Sequence, residues 1–314
     1  MKEFVIGKCH AGKRLDYFMT HEVRWPKSLV MKAWRTKKLK VNGKREPLSY
    51  ELCVDDHVVS YILEKKRFHF SVVYEDDNLI VVDKEAGILC MDSTGETQHT
   101  LFDEVNEYLR EKGENNGYMV HRIDFHTAGL MVIGKTLKVK EELDKIIKHR
   151  EMEKIYHAVV LGHFSKNEGT LHHYLFKDAK ANRVFLSENF VKGSKEATTD
   201  YKVLRYSDGL SLVECTLHTG RTHQIRSQLA FVGHPLLGDD KYGNKEINRK
   251  YKKRGQLLMA YRISFHVAQA SILAYLNDKE FISTRMPFSN TYFSNRRIVK
   301  SNATPMVRNQ KVLL

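Results

Sequence analysis

The spacing of apolar residues predicts a chain built mainly of short strands. Short apolar or alternating runs predict buried strands. Two such runs flank a polar turn at residues 76–78, and the others lie at residues 130–133, 153–161, 201–204 and 210–217. Helical periodicity marks three segments, which are residues 98–112, residues 136–149, and a segment from about Thr222 to Gly233. Because strands outnumber helices and are mostly joined by short turns, we predict an α+β domain around a largely antiparallel mixed sheet with flanking helices.

The first 65 residues have the pattern of a separate small α+β unit. A helical start lies over residues 14–18, a second helix follows Pro26, and Asn42-Gly43 predicts a hairpin turn between short strands. Residues 64–70 are polar and basic and are interpreted as a linker. We therefore predict domains over residues 1–65 and 66–295. Residues 296–314 form a basic tail, and termini of this kind are often disordered.

Length and composition are those of a globular protein of the cytoplasm. The 314 residues are 42% hydrophobic, which is enough to bury a core. The sequence contains neither an apolar stretch of about 20 residues nor the pattern of a secretory signal. The four cysteines are scattered without a Cys-x-x-Cys pair, so we expect free, mostly buried thiols. A monomer is the expected oligomeric state.

The charge of the chain indicates a polyanionic partner. The formal net charge is +14, and eight basic residues but no acidic ones lie between Lys27 and Arg45. A basic face of this kind is typical of nucleic-acid binding, and the predicted contacts are Lys27, Lys32, Arg35, Lys37, Lys38 and Lys40. An ordinary solvated helix surface is the alternative. Membrane-surface binding is disfavoured, because Leu29 and Trp34 are better explained by a small core.

The histidines and glycines do not follow known ligand patterns. The chain has 16 histidines, but the pairs His172 with His173, His121 with His126, and His218 with His223 do not match metal-binding spacings. A Gly-x-x-x-x-Gly-Lys-Ser/Thr loop is absent from the sequence. We therefore expect no metal, no nucleotide hydrolysis and no small-molecule cofactor.

The segment HRIDFHTAGL, from His121 to Leu130, is the first candidate for chemistry. Asp124 stands between Arg122 and His126, and a carboxylate next to cations can stay ionised and act as a nucleophile or a base. A local ion pair of Asp124 with Arg122 is the simpler interpretation of this segment taken alone.

The second candidate is the segment from His218 to Gly243. Thr222 is a suitable N-cap for the helix that follows it, and His223 and Arg226 would then share one helix face. Arg221 and Arg226 are suited to bind phosphate or a buried carboxylate. A capped amphipathic helix without a chemical role is the alternative.

Taken in order, these segments resemble the RluA-type pseudouridine synthase family. The matching segments are LIVVDKEAGI (79–88), HRIDFHTAGLMVIGK (121–135), EKIYHAVVLG (153–162) and TGRTHQIRSQLAFVGHPLLGDDKYG (219–243). The resemblance spans about residues 70 to 290 and implies the pseudouridine-synthase fold. Residues 12–60 resemble the small RNA-binding domain first named for ribosomal small-subunit protein four. This chain has Phe125-His126 where the family usually has an acidic residue or Lys-Asp.

The resemblance implies an isomerase that converts uridine in structured RNA to pseudouridine without a cofactor. Asp124 matches the family's catalytic aspartate, and whether it attacks the sugar, attacks the base or removes a proton stays open. Arg122 would lie near the space that the flipped nucleotide vacates. Tyr156 matches the aromatic residue that contacts the uracil and is a candidate for the proton step at C5.

Four further residues complete the site that the resemblance implies. Arg226 matches the arginine that pairs with the catalytic aspartate, and His223 and Gln224 would support its helix. Leu258, or the adjacent Leu257, would pack on the other side of the base. For Leu258 and Tyr156, simple core packing is the alternative.

Large-subunit ribosomal RNA is the substrate that we expect from the family motifs and the basic N-terminal unit. Transfer RNA is the second expectation within the same enzyme class. The rival hypothesis is a non-catalytic RNA-binding or ribosome-assembly factor, which would need no combination of Asp124, Tyr156 and Arg226.

Overall fold

The chain forms two compact units, Met1–Arg67 and Phe68–Leu314. The computed structural model describes residues 1–23, 25–62, 67–92, 99–178, 183–285, 288 and 292–293. The basic tail expected over residues 296–314 lies outside the described residues, as does the first half of the expected linker. The second half of that linker prediction was wrong, because Phe68 packs against the core of the second unit and Phe70 begins a strand.

The first unit is a small antiparallel sheet with helices. Its strands are β1 (Lys2–Val5), β2 (Leu39–Val41) and β3 (His57–Ser60), in the order β1-β3-β2. Its helices are α1 (Leu15–Tyr17), which continues into a π-helical turn (Phe18–Glu22), and α2 (Lys27–Arg35). Val30 and Ala33 from α2 are buried in the core with Leu15 and Val58, so the apolar spacing in α2 serves a small core.

The predicted hairpin at Asn42-Gly43 is shorter than expected. Both residues have positive φ, 49° and 76°, as a two-residue hairpin turn requires. The turn closes a single bridge between Val41 and Lys44, and the strand that pairs with β2 along its length is β3.

Within the described residues, the second unit is organised around one mixed sheet of 11 strands. The strands are β4 (Phe70–Glu75), β5 (Leu79–Lys84), β6 (Tyr118–Met119), β7 (Ala128–Gly134), β8 (Met152–Leu161), β9 (Glu168–Asp178), β10 (Arg183–Ser187), β11 (Lys195–Ser207), β12 (Leu210–Leu217), β13 (Leu258–Phe265) and β14 (Glu280–Ile282). Their order is β10-β9-β11-β12-β8-β13-β7-β5-β4, with β14 beside β13 and β6 beside β7.

The helices of the second unit are α3 (Leu101–Glu111), α4 (Leu137–Lys148), α5 (Gln224–Phe231) and α6 (Lys245–Lys250). Leu101, Val105 and Leu109 of α3 belong to one buried cluster with Ile123 and Tyr156. The apolar residues of α4 belong to a different cluster, built with residues of β5, β7 and β13. The α+β prediction with a largely antiparallel mixed sheet and flanking helices is therefore confirmed. No helix among the described residues is both long and apolar enough to cross a bilayer.

Strands β7 and β13 are the parallel neighbours of this sheet, and they approach each other closely at Gly129. Gly129 has a φ of +111°, and a Cβ atom there would lie 2.2 Å from the backbone oxygen of Ala260. Only glycine fits this position, because a side chain would separate the two strands. The contact places the loop before β7 next to β13.

Strands β9 and β10 were missed by the sequence analysis. Leu171 and Leu175 of β9 point inward, but the position between them is His173, which is buried against Gln228. The polar residue hides the alternation that predicts a strand. The thiol prediction was half right, because all four cysteines are free, with Cys90 and Cys215 buried and Cys9 and Cys53 exposed.

Candidate active site

A cavity of about 700 Å³ in the second unit adjoins the loop that precedes β7. All eight residues expected to act in catalysis or substrate binding line it, and they are Asp124, Tyr156, Arg226, Arg122, Arg221, His223, Gln224 and Leu258. They come from that loop, from the neighbouring strands β8 and β13, and from the start of α5. A cavity of this size accommodates a small-molecule-sized ligand such as a single nucleotide.

The loop that carries Asp124 is held in place by a buried lysine. Lys84, at the end of β5, donates to the carbonyl oxygen of Phe125 at 3.2 Å and to those of Glu85 and Ile88 at 2.9 Å each. The backbone N–H of Gly87 donates to the same Phe125 carbonyl at 2.8 Å. Burial lowers the pKa of Lys84 to about 8. Lys84 is thus a positioning residue, since it fixes the backbone next to Asp124.

Asp124 is paired with Arg226, and Arg226 is itself held by a second aspartate. Arg226 Nη1 donates to Asp124 Oδ2 at 2.9 Å, while Nε and Nη2 donate to the two carboxylate oxygens of Asp239 at 2.7 and 2.9 Å. Arg226 is 4% exposed, Asp239 is fully buried, and Asp124 is 23% exposed. The bidentate pair with Asp239 fixes the plane of the guanidinium, so Nη1 is aimed at Asp124.

The electrostatic environment favours the charged forms of Asp239 and Arg226. Burial of Asp239 opposes ionisation, but the hydrogen bonds from Arg226 outweigh it and hold the pKa of Asp239 below its usual value. Burial alone would lower the pKa of Arg226, yet Asp239 and Asp124 together raise it. Asp124 therefore has a permanent cation on one side and the cavity on the other.

The start of α5 differs from the prediction. The helix begins at Gln224, preceded by His223 with a left-handed φ of 54°, so the assignment of Thr222 as N-cap was wrong. The Gln224 side chain organises the turn, because its Oε1 accepts from the backbone N–H of Arg221 at 3.0 Å and from the Thr219 hydroxyl at 2.8 Å. Gln224 is 3% exposed. It shapes the wall of the cavity through its own hydrogen bonds.

His223 and Arg221 reach the cavity from outside the helix. Because His223 precedes α5, the expectation that it shares a helix face with Arg226 was wrong. His223 Nδ1 lies 3.0 Å from the hydroxyl of Tyr242, and burial lowers its pKa, which favours a neutral imidazole. Arg221 is exposed, and its Nε donates to the carbonyl oxygen of Glu196 at 3.1 Å.

Tyr156 and Leu258 form an apolar wall. In the antiparallel pairing of β8 with β13, Leu258 is opposite Ala158 and Ala260 is opposite Tyr156, so the Tyr156 and Leu258 side chains share a face of the sheet. They are 7% and 6% exposed and both line the cavity. Burial, with a further contribution from the charge of Asp124, raises the pKa of Tyr156. The phenol is thus protonated at neutral pH.

His121 and Lys154 are half-buried basic residues that also line the cavity. His121 Nε2 accepts a hydrogen bond from the backbone N–H of Val132 at 3.0 Å, and burial, assisted by the charge of Lys154, lowers the pKa of His121 to about 3. Burial also lowers the pKa of Lys154. Within the described residues, no carboxylate lies within ion-pair distance of Lys154. Lys154 is thus available to an anionic group that enters the cavity.

His126 is not among the residues that line the cavity. Its ring packs over Gly255, where an added Cβ would lie 2.7 Å from the ring, and it makes an edge-to-face contact with Phe125 at 4.6 Å. His126 therefore packs against the backbone of Gly255 and does not face the cavity.

Sequence reasoning missed Lys84, Asp239 and Lys154 as members of the site. Asp239 was seen only as part of a turn, and Lys84 and Lys154 only as letters of matching segments. Their roles depend on contacts between distant parts of the chain, such as the 41 residues between Lys84 and Phe125. A charged residue at the end of an apolar run was the available signal, and Lys84 lies two residues after the run at 79–82.

The basic residues of the first unit present a surface of their own. Five of the six predicted contacts are exposed, namely Lys27, Lys32, Arg35, Lys37 and Lys38. Among the described residues, none of these five has an ion-pair partner. Lys40 is half-buried, with Nζ 5.6 Å from the centre of the Tyr61 ring. Uncompensated cations of this kind are suited to phosphate.

Comparisons with known proteins show which family this chain resembles. Residues 78–231 match the family model described as RNA pseudouridylate synthase. A protein of Chlorobaculum parvum named as an RNA pseudouridine synthase is 32% identical over 76% of this chain and 77% of its own length. A protein of Blochmanniella floridana named ribosomal large subunit pseudouridine synthase D is 28% identical over 85% of this chain and 87% of its own.

A solved structure supports the fold. Human RNA Pseudouridylate Synthase Domain Containing 1 superposes with a TM-score of 0.59 at 21% sequence identity, covering 76% of this chain and 94% of that chain. The pseudouridine-synthase fold expected from the motifs is therefore confirmed.

Proposed function

The chain belongs to the RNA pseudouridylate synthase family, and from this premise we propose that it isomerises specific uridines of large-subunit ribosomal RNA to pseudouridine. The family and the isomerase class predicted from the motifs are confirmed. The ribosomal substrate is supported by relatives named for it, including those of Blochmanniella floridana and Neisseria meningitidis. We propose that the enzyme acts as a monomer in the cytoplasm.

The observation that carries the proposal is Asp124, held by Arg226 on one side and facing a nucleotide-sized cavity on the other. The reaction breaks the bond between N1 and the ribose C1′, forms a bond between C5 and C1′, removes the proton from C5 and adds one at N1. Asp124 is the nucleophile or base for this exchange. Arg226 places a permanent positive charge beside the Asp124 carboxylate and fixes its rotamer.

The cavity walls give the detached uracil a partly enclosed site. Tyr156 and Leu258 offer the base one apolar wall, and the flipped nucleotide gains contact with it in return for a few kcal/mol of unstacking. Arg122 occupies the space that the nucleotide leaves. Arg221 and Lys154 are suited to bind the phosphates on either side of the flipped residue.

The reaction provides a direct assay. One C5 hydrogen is released for each pseudouridine formed, so RNA labelled with tritium at C5 of uridine releases tritium to water. Purified protein should release it from large-subunit ribosomal RNA and not from transfer RNA. Release from transfer RNA alone would replace the substrate within the same enzyme class. Absence of release from either RNA would favour the non-catalytic assembly factor.

Replacing Tyr156 with Phe should separate stacking from proton transfer. The ring is retained, so RNA affinity should be unchanged. Because the phenol is protonated, it can accept the C5 proton only while it donates its hydroxyl proton to Asp124. Loss of this proton relay in Tyr156→Phe should lower kcat on the order of 100-fold or more. Tritium release and RNA binding are measured in parallel. An unchanged kcat would restrict Tyr156 to stacking.

We propose that the basic surface of the first unit binds RNA phosphates. Reversing the charge of Lys32 and Arg35 in the full chain should weaken RNA binding and reduce the dependence of log affinity on log salt concentration, because each lost phosphate contact lowers the slope by about 0.7 to 0.9. The rate with bound RNA at saturation should be unchanged. Reversal of Lys140 and Lys145 on α4 is the control. Equal salt slopes in both variants would contradict the proposal.

A further inference from the structure

A group of three potential metal ligands lies outside the cavity, at the joint between β4 and α3. His69 directly precedes β4, His99 lies two residues before α3, and Glu104 is in the first turn of α3. Their ligand atoms all lie within 4.8 Å of one another. None of the three lines the cavity that contains Asp124. We propose that this group, the His69–His99–Glu104 cluster, binds one divalent ion of the zinc type.

The side chains converge on one point. His69 Nδ1 and His99 Nε2 both face Glu104 Oε1, at 2.5 and 2.6 Å. Two imidazole nitrogens and one carboxylate oxygen are a ligand set that suits Zn²⁺, with water as the fourth ligand. Zinc bonds of about 2.0 to 2.2 Å require tetrahedral ligand atoms to lie about 3.3 Å apart. The side chains of His69 and His99 are 45% and 53% exposed, so both imidazoles can rotate outward until their nitrogens lie at that separation from Glu104 Oε1.

The Glu104 carboxylate is already oriented, and no Lys or Arg of the described residues pairs with it. Glu104 is 1% exposed, and its Oε2 accepts a hydrogen bond from the backbone N–H of His69 at 2.6 Å. This contact leaves Oε1 for the imidazoles and is the kind of support that fixes a metal ligand. Within the described residues, the ion-pair partners of Glu104 are these two histidines. A divalent ion would supply the positive charge that a buried carboxylate needs.

The ion would connect the sheet to α3. Leu101, Val105 and Leu109 of α3 pack in the same cluster as Ile123, which precedes Asp124, and as Tyr156. An ion bound to His69 and Glu104 would therefore stabilise the buried cluster that packs behind Asp124 and Tyr156. The role is structural, and the proposal does not depend on which RNA is modified.

Zinc binding by the metal-free full chain tests the proposal. After treatment with a chelator, calorimetric titration with Zn²⁺ should show one tight equivalent, and Co²⁺ in its place should show the visible absorption of a four-coordinate ion. Saturating Zn²⁺ should raise the melting temperature. His99→Gln keeps a donor to Glu104 but loses the ligand, and it should lower Zn²⁺ affinity on the order of 100-fold or more.

A matched control is available in the same unit. His172 lies 3.0 Å from Glu196, with exposures of 45% and 58%, and the part of the chain that the structure describes offers this pair no third ligand. His172→Gln should leave the tight equivalent unchanged. Glu104→Gln serves as the second ligand variant if His99→Gln loses its native circular dichroism. Absence of a tight equivalent, or equal affinity in wild type and His99→Gln, would overturn the proposal and leave a hydrogen-bonded cluster.

Discussion

Replacing Asp124 with Asn is expected to abolish pseudouridine formation while leaving the fold and RNA binding intact. The amide keeps the shape of the side chain and can still accept a hydrogen bond from Arg226, and Arg226 keeps its two bonds to Asp239. The negative charge that serves as nucleophile or base is lost. We expect a fall in the single-turnover rate on the order of 10⁴-fold or more.

The control for this variant removes a carboxylate elsewhere. Asp144 is 44% exposed on α4 and pairs with Lys140. Asp144→Asn should retain the full rate of tritium release. An Asp124→Asn protein with more than a small fraction of the wild-type rate, free of contaminating enzyme, would remove Asp124 from the chemistry.

Replacing Asp239 with Asn is expected to lower both stability and activity. The Asn amide would place an NH₂ group against Arg226 Nε or Nη2, so two donors would face each other in a fully buried site. Breaking a buried ion pair of this kind costs roughly 3–5 kcal/mol. Arg226 would also lose the contact that aims it at Asp124, so kcat should fall even where the protein is folded.

The adjacent residue is the matched control. Asp240 is 66% exposed, and its carboxylate lies 3.6 Å from Arg226. Asp240→Asn changes the same net charge and should change neither the free energy of unfolding nor the rate appreciably. Denaturant unfolding and tritium release are measured for both variants. If the two behave alike, the role assigned to Asp239 is wrong.

Local patterns in the sequence were sufficient for most elements. The strand over residues 210–217 coincides with β12, and α4 lies within the helix predicted over residues 136–149, with Thr136 as its N-cap. These elements have clear periodicity and standard capping residues. The failures have physical reasons, since His173 interrupts the alternation of β9 and the left-handed His223 delays the start of α5.

The site shows the same division. Motif resemblance identified Asp124, Tyr156 and Arg226, and the structure brings all three to one cavity. It did not identify Asp239, whose carboxylate interacts with Arg226 across 13 residues. The His69–His99–Glu104 cluster could not be found from spacing either, because 30 residues separate its two histidines. Partners that meet only through tertiary packing leave no local pattern in the sequence.

We propose that this chain forms pseudouridine in large-subunit ribosomal RNA and that Asp124 is required for the reaction. The most direct measurement maps pseudouridine in cellular RNA from a strain that lacks the gene, complemented with wild-type protein or with Asp124→Asn at equal abundance. Our account predicts that one or more positions in large-subunit ribosomal RNA lose pseudouridine on deletion and regain it only with the wild-type protein. Positions that persist without the gene, or that Asp124→Asn restores, would contradict it.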